Sequence, residues 1–155
     1  MRRIIVYAAM AATLLVAVPA VAMPMPKGGI THEEMVAILN KAGLTATIDK
    51  DSNGTRIVKS SVSGVNFDVY FYQCDKGRCG DIQFAAGWSN AKVAPERVND
   101  WNRTKRFLRV YWKEGDVLFA EHDARILSGT TENIEASLAF WKVMLGEFKT
   151  FMKLN

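Results

Sequence analysis

Val65-Asn66-Phe67-Asp68-Val69-Tyr70-Phe71-Tyr72 is the stretch whose reading decides the fold. Val65, Phe67, Val69 and Phe71 alternate with Asn66, Asp68, Tyr70 and Tyr72, the period of two that sends successive side chains to opposite faces of a strand. Apart from Asn66 and Asp68, both faces are apolar or aromatic. After the turn Cys74-Asp75-Lys76-Gly77-Arg78-Cys79, residues Ile82, Phe84 and Ala86 continue the alternation in a further strand. Upstream, Thr45 to Ile48 and Thr55 to Ser61 read as two strands joined by Asp51-Ser52-Asn53-Gly54, whose Asn-Gly pair is a strong hairpin signal. Ser63-Gly64 turns the chain again. Four strands linked by short turns predict an antiparallel meander.

Helical spacing frames this meander. Thr31 and Glu34 have the spacing of a capping box, in which each side chain satisfies the other's backbone N–H. Met35, Ile38, Leu39 and Ala42 then recur at helical intervals, and Gly43 is the expected stop. Pro95 suits the first position of a second helix, with Glu96 favourable at that end. Val98, Trp101 and Lys105 fall along its inner stripe. Phe107 to Trp112 and Val117 to Glu121 form a hairpin about Glu114-Gly115-Asp116. Thr131 is the expected cap of a last helix. In that helix Ile134, Leu138, Trp141, Leu145, Phe148 and Met152 make one apolar seam at four- and three-residue spacing. The order α-β-β-β-β-α-β-β-α predicts an α+β fold, a mainly antiparallel sheet with helices packed on it.

Compartment follows from the first residues. Arg2 and Arg3 precede an uncharged run from Ile4 to Val18, Pro19 breaks it, and Ala20-Val21-Ala22 supplies small residues. That is the layout of a signal peptide cleaved between Ala22 and Met23, which predicts a periplasmic or secreted protein. The alternative is an uncleaved inner-membrane anchor, since Ile4 to Ala22 is just long enough to span a bilayer. Pro19 and the lack of a positive cluster immediately after it favour cleavage and no stable membrane insertion. The expected organisation is a signal peptide over 1–22, a flexible linker over 23–29 and one domain over 30–155. The formal charge is +4, and removing Arg2 and Arg3 leaves about +2, which gives nucleic acid no compositional support as a partner.

Cys74 and Cys79, the only cysteines, read as a disulfide stapling a hairpin in an oxidising compartment. A metal site would need more ligands than His32 and His122 supply, and a redox pair is usually Cys-x-x-Cys.

Two motifs carry a resemblance. The first runs from Gly64 through Val65-Asn66-Phe67-Asp68-Val69-Tyr70-Phe71-Tyr72-Gln73-Cys74, then Cys79, to Ile82-Gln83-Phe84-Ala85-Ala86-Gly87. The second is Asn99-Asp100-Trp101-Asn102-Arg103 with Arg106-Phe107. In this order they resemble the YbjN-domain family, from about Gly29 to Phe148. The resemblance implies a fold similar to type III secretion chaperones and the label of a bacterial sensory transduction regulator. It implies no reaction, cofactor or catalytic residue. An export signal does not fit a cytoplasmic chaperone or regulator.

The residues themselves offer no catalytic constellation. His32 opens a helix and His122 ends a strand, without a nucleophile elbow or a phosphate-cradling glycine loop nearby. Glu121 and Asp123 flank His122 on a strand and so point away from it. No catalytic, cofactor-binding or metal-binding residue is assigned. Asn99, Asn102 and Arg106, spaced at three and four, are expected to share a helix face. With Arg103 they form a candidate polar binding face, whose plain alternative is bonding to neighbouring loops. Phe140, Met144 and Phe151 lie off the main seam of the last helix and form a candidate association face, because a helix buries one stripe against its sheet. The expected function is a non-enzymatic exported binding or chaperone-like module that meets a protein partner, or its own twin, through its sheet or last helix. The alternative is a small-molecule-binding accessory protein, or an enzyme, using the Asn99/Asn102/Arg106 face.

Overall fold

A computed structural model describes residues 28–113, 116–127 and 129–154. The signal segment and the first part of the expected linker lie outside the described residues. Thr31 and Glu34 form the capping box: the Thr31 N–H donates to Glu34 Oε2 at 3.0 Å and the Glu34 N–H to Thr31 Oγ1 at 3.2 Å. They open α1 (His32–Lys41), which ends just before Gly43. β1 (Ala46–Lys50), β2 (Arg56–Val62), β3 (Val65–Asp75) and β4 (Arg78–Ser89) then pair in sequence, antiparallel throughout. α2 (Pro95–Thr104) leads to β5 (Arg109–Lys113) and β6 (Val117–Arg125), and α3 (Thr131–Met152) closes the fold.

The sheet order is β1-β2-β3-β4-β6-β5. The last hairpin therefore adds through its second strand, and β5 becomes an edge. The strands outrun their sequence-predicted lengths: β3 and β4 continue through the cysteine turn, where Cys74 pairs with Cys79, and β4 runs on along β6 to Ser89. α3 starts one residue earlier than expected. Thr130 is its cap and Thr131 its first residue, and the Thr130 N–H donates to Asn133 Oδ1 at 2.7 Å.

All three helices cover one face. Along β3 that face carries Val65, Phe67, Val69 and Phe71, all buried. In register with Val69 and Phe71 are Phe84 and Ile82 on β4, then His122 and Ala124 on β6; Ala120 and Leu118 follow opposite Ala86 and Trp88. The α3 seam seals them: Trp141 lies 5.9 Å from both the Phe67 and Phe84 rings, and Phe148 packs 5.2 Å from Trp101 of α2. Each large apolar side chain withdrawn from water here contributes roughly 1.5–3 kcal/mol.

The hairpin end is tied to the start of the domain. Cys74 and Cys79 are disulfide-bonded. Ile30 and Cys79 exchange backbone hydrogen bonds at 3.0 and 2.8 Å. Gly29 passes so close that a Cβ there would sit 1.9 Å from the Cys79 carbonyl oxygen, and its φ of +91° also favours glycine. Arg78 donates to the Gly29 carbonyl and, at 2.8 Å, to Glu34 of the capping box. The end of the expected flexible linker, Gly29, is thus a buried, fixed part of the domain.

Candidate functional site

The sheet's second face has no helix over it among the described residues, yet side chains on it are buried. Register places Lys59, Asp68, Ala85, Glu121 and Arg109 in one row across β2, β3, β4, β6 and β5. Tyr70, Gln83 and Asp123 form the next row. Gly87, Phe119 and Tyr111 form the row on the other side. Ile57, Gln83, Ala85 and Glu121 on this face are all buried.

Two causes account for that. One is curvature: residues of the β1–β2 turn, such as Asp51 and Asn53, and residues of β5, such as Arg109 and Tyr111, line one cavity of about 650 Å³. The other is side-chain size. β4 presents Gln83, Ala85 and Gly87 at the centre, while tyrosines and Phe119 stand on the flanking strands. A methyl group on Gly87 would press within 3.2 Å of the Phe119 ring. Small residues in the middle and large ones on both sides make a trough.

Glu121, beside this centre on β6, is the buried carboxylate of the floor, 6% exposed. A carboxylate that far from water needs partners. It has three: the Arg109 guanidinium, the Tyr111 hydroxyl at 2.7 Å and the Gln83 amide at 3.5 Å. Gln83 also donates to Asp123 at 2.7 Å and accepts from the Tyr72 hydroxyl at 3.3 Å. One connected network thus joins β3, β4, β5 and β6. Burial, with the bond to Glu121 second, pushes the Tyr111 hydroxyl up to about 12. Burial, helped by Asp68 and Asp51, pushes Tyr70 up to about 12 as well. Burial also raises Asp68 and Tyr72. Arg109 is raised by its hydrogen bond to Glu121. The tyrosines therefore stay neutral across the physiological range, as hydrogen-bonding groups with aromatic faces.

His122 belongs to the other face. Its ring stacks on Phe84, and its Nδ1–H donates to the Phe107 carbonyl at 2.8 Å. Glu121 and Asp123 do point away from it. His32 lies 3.9 Å from the Phe71 ring, and its Nε2–H donates to the Arg56 carbonyl at 3.1 Å. Neither histidine adjoins the trough.

The sequence-predicted polar face does not assemble. α2 ends at Thr104, so Arg106 is beyond the helix and cannot share a face with Asn99 and Asn102. The Asn102 amide donates to the Val110 carbonyl at 2.7 Å while its oxygen accepts from the Val110 N–H at 3.1 Å. It caps the open edge of β5 as a missing strand would, the structural alternative for that residue. Arg103 pairs with Asp100 one turn away, and Asn99 and Arg106 are exposed.

The expected association face is a correction too. Met144 is buried, and Phe140 and Phe151 are half-buried within the same chain. Phe140 packs against Phe107 and His122, with ring centres 5.3 and 5.6 Å away. Phe151 packs against Trp101 at 5.4 Å and lies under the Arg97 guanidinium. The chain's own loops and α2 supply the second covering surface, so these three residues are ordinary packing. Exposed on the helix side are Phe107 at 70%, Val143 at 60% and Leu127, which lies over Gly80, at 43%.

Sequence reasoning noted the tyrosines of β3 but missed Gln83, Arg109, Tyr111 and Glu121 as a group. The available signal was Ala85-x-Gly87 following Gln83 on one face of a long strand, small residues where a solvated face would carry longer polar ones.

Residues 31–153 match the family model YbjN, "Putative bacterial sensory transduction regulator". The chain belongs to the YbjN family. At the level of the family it is a regulatory or binding module. No curated protein and no solved structure matches the chain. The likeness to type III secretion chaperones therefore remains what the family resemblance implies. Among the described residues, no helix of this YbjN protein is long and apolar enough to cross a membrane.

Proposed function

We propose that this YbjN protein is a non-enzymatic, exported binding module that holds its ligand in the trough on the open face of its sheet. The carrying observation is the Glu121 network. A concave, partly aromatic surface has been built on the uncovered face, and its polar floor is locked by internal bonds to Arg109, Tyr111 and Gln83. Rigid polar groups at the base of a concavity fix the orientation of a bound molecule. The same locking speaks against acid–base catalysis: the carboxylate is held by fixed donors, and burial keeps the Tyr70 and Tyr111 hydroxyls protonated. Export rests on the Arg2/Arg3 charge, the apolar run and Ala20-Val21-Ala22.

The second reading is contact with a protein, or a second copy, from the helix side. Phe107 and Val143 favour it, because both are large, apolar and exposed. One experiment separates the two. The tagged protein is retrieved from its native cell envelope, along with a Tyr70→Ala/Tyr72→Ala variant and a Phe107→Ser/Val143→Ser variant, each shown folded by circular dichroism. The trough reading expects the tyrosine variant to lose what the wild type retains and the other variant to keep it. The opposite pattern supports helix-side contact and contradicts the trough.

A further inference from the structure

From the chemistry of the trough we infer that its ligand is a neutral saccharide, a short oligosaccharide or the end of a longer glycan. This inference rests on the reading of the trough as the binding surface and adds the class of molecule it takes. Four ligand classes can be weighed against the lining.

A strongly charged ligand does not fit. The cavity is lined by four cationic side chains and three anionic ones, and its most central carboxylate and guanidinium, Glu121 and Arg109, already neutralise each other. A phosphate-rich polymer needs a clear excess of cations. An apolar chain does not fit either, since it would cover Gln83 and Glu121 and leave part of their hydrogen-bonding capacity dry. An extended peptide meets a different obstacle. Peptides bind sheets at edges, where free backbone N–H and C=O groups pair with their own. The trough is a sheet face, and its backbone groups are already paired in the ladders of β2, β3, β4, β6 and β5. A peptide lying there would find no backbone partners for its amides.

A sugar ring asks for what is present. Its faces carry C–H groups that lie on aromatic rings, and its rim carries hydroxyls that both donate and accept. Tyr70 and Tyr72 project from the same strand about 7 Å apart by strand rise. Across the trough the Tyr111 and Phe119 rings stack on each other with centres 6.0 Å apart, and the exposed Arg109 and Lys113 side chains lying over them would have to swing aside for a sugar to stack there. Tyr72 is 46% exposed while its hydroxyl bonds the interior Gln83, so its ring is open to the cavity and fixed in orientation. A ring so held offers its face to a sugar without loss of its own hydrogen bond. Tyr70, Tyr72, Tyr111 and Arg109 line the cavity. The Tyr72 and Tyr111 hydroxyls, which donate to Gln83 and Glu121, keep an oxygen able to accept from a sugar hydroxyl. The cavity's volume falls within the roughly 300–1,000 Å³ usual for small-ligand sites.

The test is isothermal titration of the purified protein with three sets of probes. The first is neutral oligomers of glucose and of N-acetylglucosamine. The second is a chitosan oligomer and inorganic polyphosphate, as charged controls. The third is an unstructured peptide of mixed sequence. The expected result is binding of at least one neutral oligosaccharide, with affinity changing less than about twofold between low and high salt because no counterions are released. Tyr72→Ala, shown folded by circular dichroism, should weaken it at least tenfold, and Val143→Ser should leave it unchanged. Binding of the charged or peptide probes alone, no binding of any neutral sugar, or sugar binding indifferent to Tyr72→Ala each overturns the assignment. If the sugars fail while the tyrosine variant still loses its envelope-retained component, the ligand class is wrong and the trough stands. If both fail, the trough reading falls with it.

Discussion

The two faces of the sheet are built from the same strands and differ in what completes them. On the covered face, Phe67, Phe84 and Ala120 meet the seam of α3, and the helices exclude water. On the open face, Asp68, Ala85 and Glu121 occupy the intervening positions, and burial there comes from curvature and from flanking tyrosines. The first arrangement is non-directional and tolerates any well-fitting apolar set. The second depends on particular donors and acceptors meeting across four strands. A surface of that kind is more demanding than solubility requires, because lysine and glutamate on a solvated face would serve as well. The covered face makes the fold, and the proposed function places the ligand on the open one.

The largest expected effect tests the covered face. Trp141→Ala should lose roughly 3–5 kcal/mol in urea unfolding, the usual range for removing a buried aromatic. Tyr72→Ala should cost no more than about 1 kcal/mol, because water can replace its hydroxyl at Gln83 on the open face. Equal losses would erase the division of labour. Next, Glu121→Ala should cost about 1–3 kcal/mol, because Tyr111 and Gln83 lose a buried acceptor. The lower half of that range is expected, since Arg109 is largely exposed and can turn to water. A neutral result would mean the floor is merely solvated. At the edge where both faces end, Asn102→Ala should cost roughly 1–2 kcal/mol, and amide exchange at Val110 should accelerate once its cap is gone.

The smallest effect is a pH dependence. Tyr70 and Tyr111 ionise near 10 when unfolded and are held up to about 12 in the fold. The folded state therefore keeps protons that the unfolded chain has released. The contribution is intact below about pH 10 and is lost as pH rises through about 12. Tyr70→Phe should flatten the decline in thermal midpoint over that window and leave the neutral value nearly unchanged.

Much of the covered face was legible because its signals are local. The alternation of Val65 to Phe71 and the seam from Ile134 to Met152 are periodicities within one segment, and every seam residue is buried. The capping box at Thr31 is equally local. What escaped notice is non-local. The place of β6 beside β4 is set by how α2 carries the chain across, and the row from Lys59 to Arg109 draws one residue from each of five strands. No window along the chain contains that row. The same limit explains the mistaken association face: Phe140 and Phe151 look surplus along α3, but Phe107 and Trp101, distant in sequence, cover them. Asn102 and Arg106 share a helical spacing on paper, and the chain leaves the helix between them.

The most direct test of the open face as the functional one is hydroxyl-radical footprinting in the native cell envelope, compared with the purified protein. It works whatever the ligand is. The account predicts protection at Tyr70, Tyr72, Tyr111 and Phe119 in the envelope, with Phe107 and Val143 labelled equally in both samples. Protection at Phe107 and Val143 with the four trough residues unchanged would contradict it.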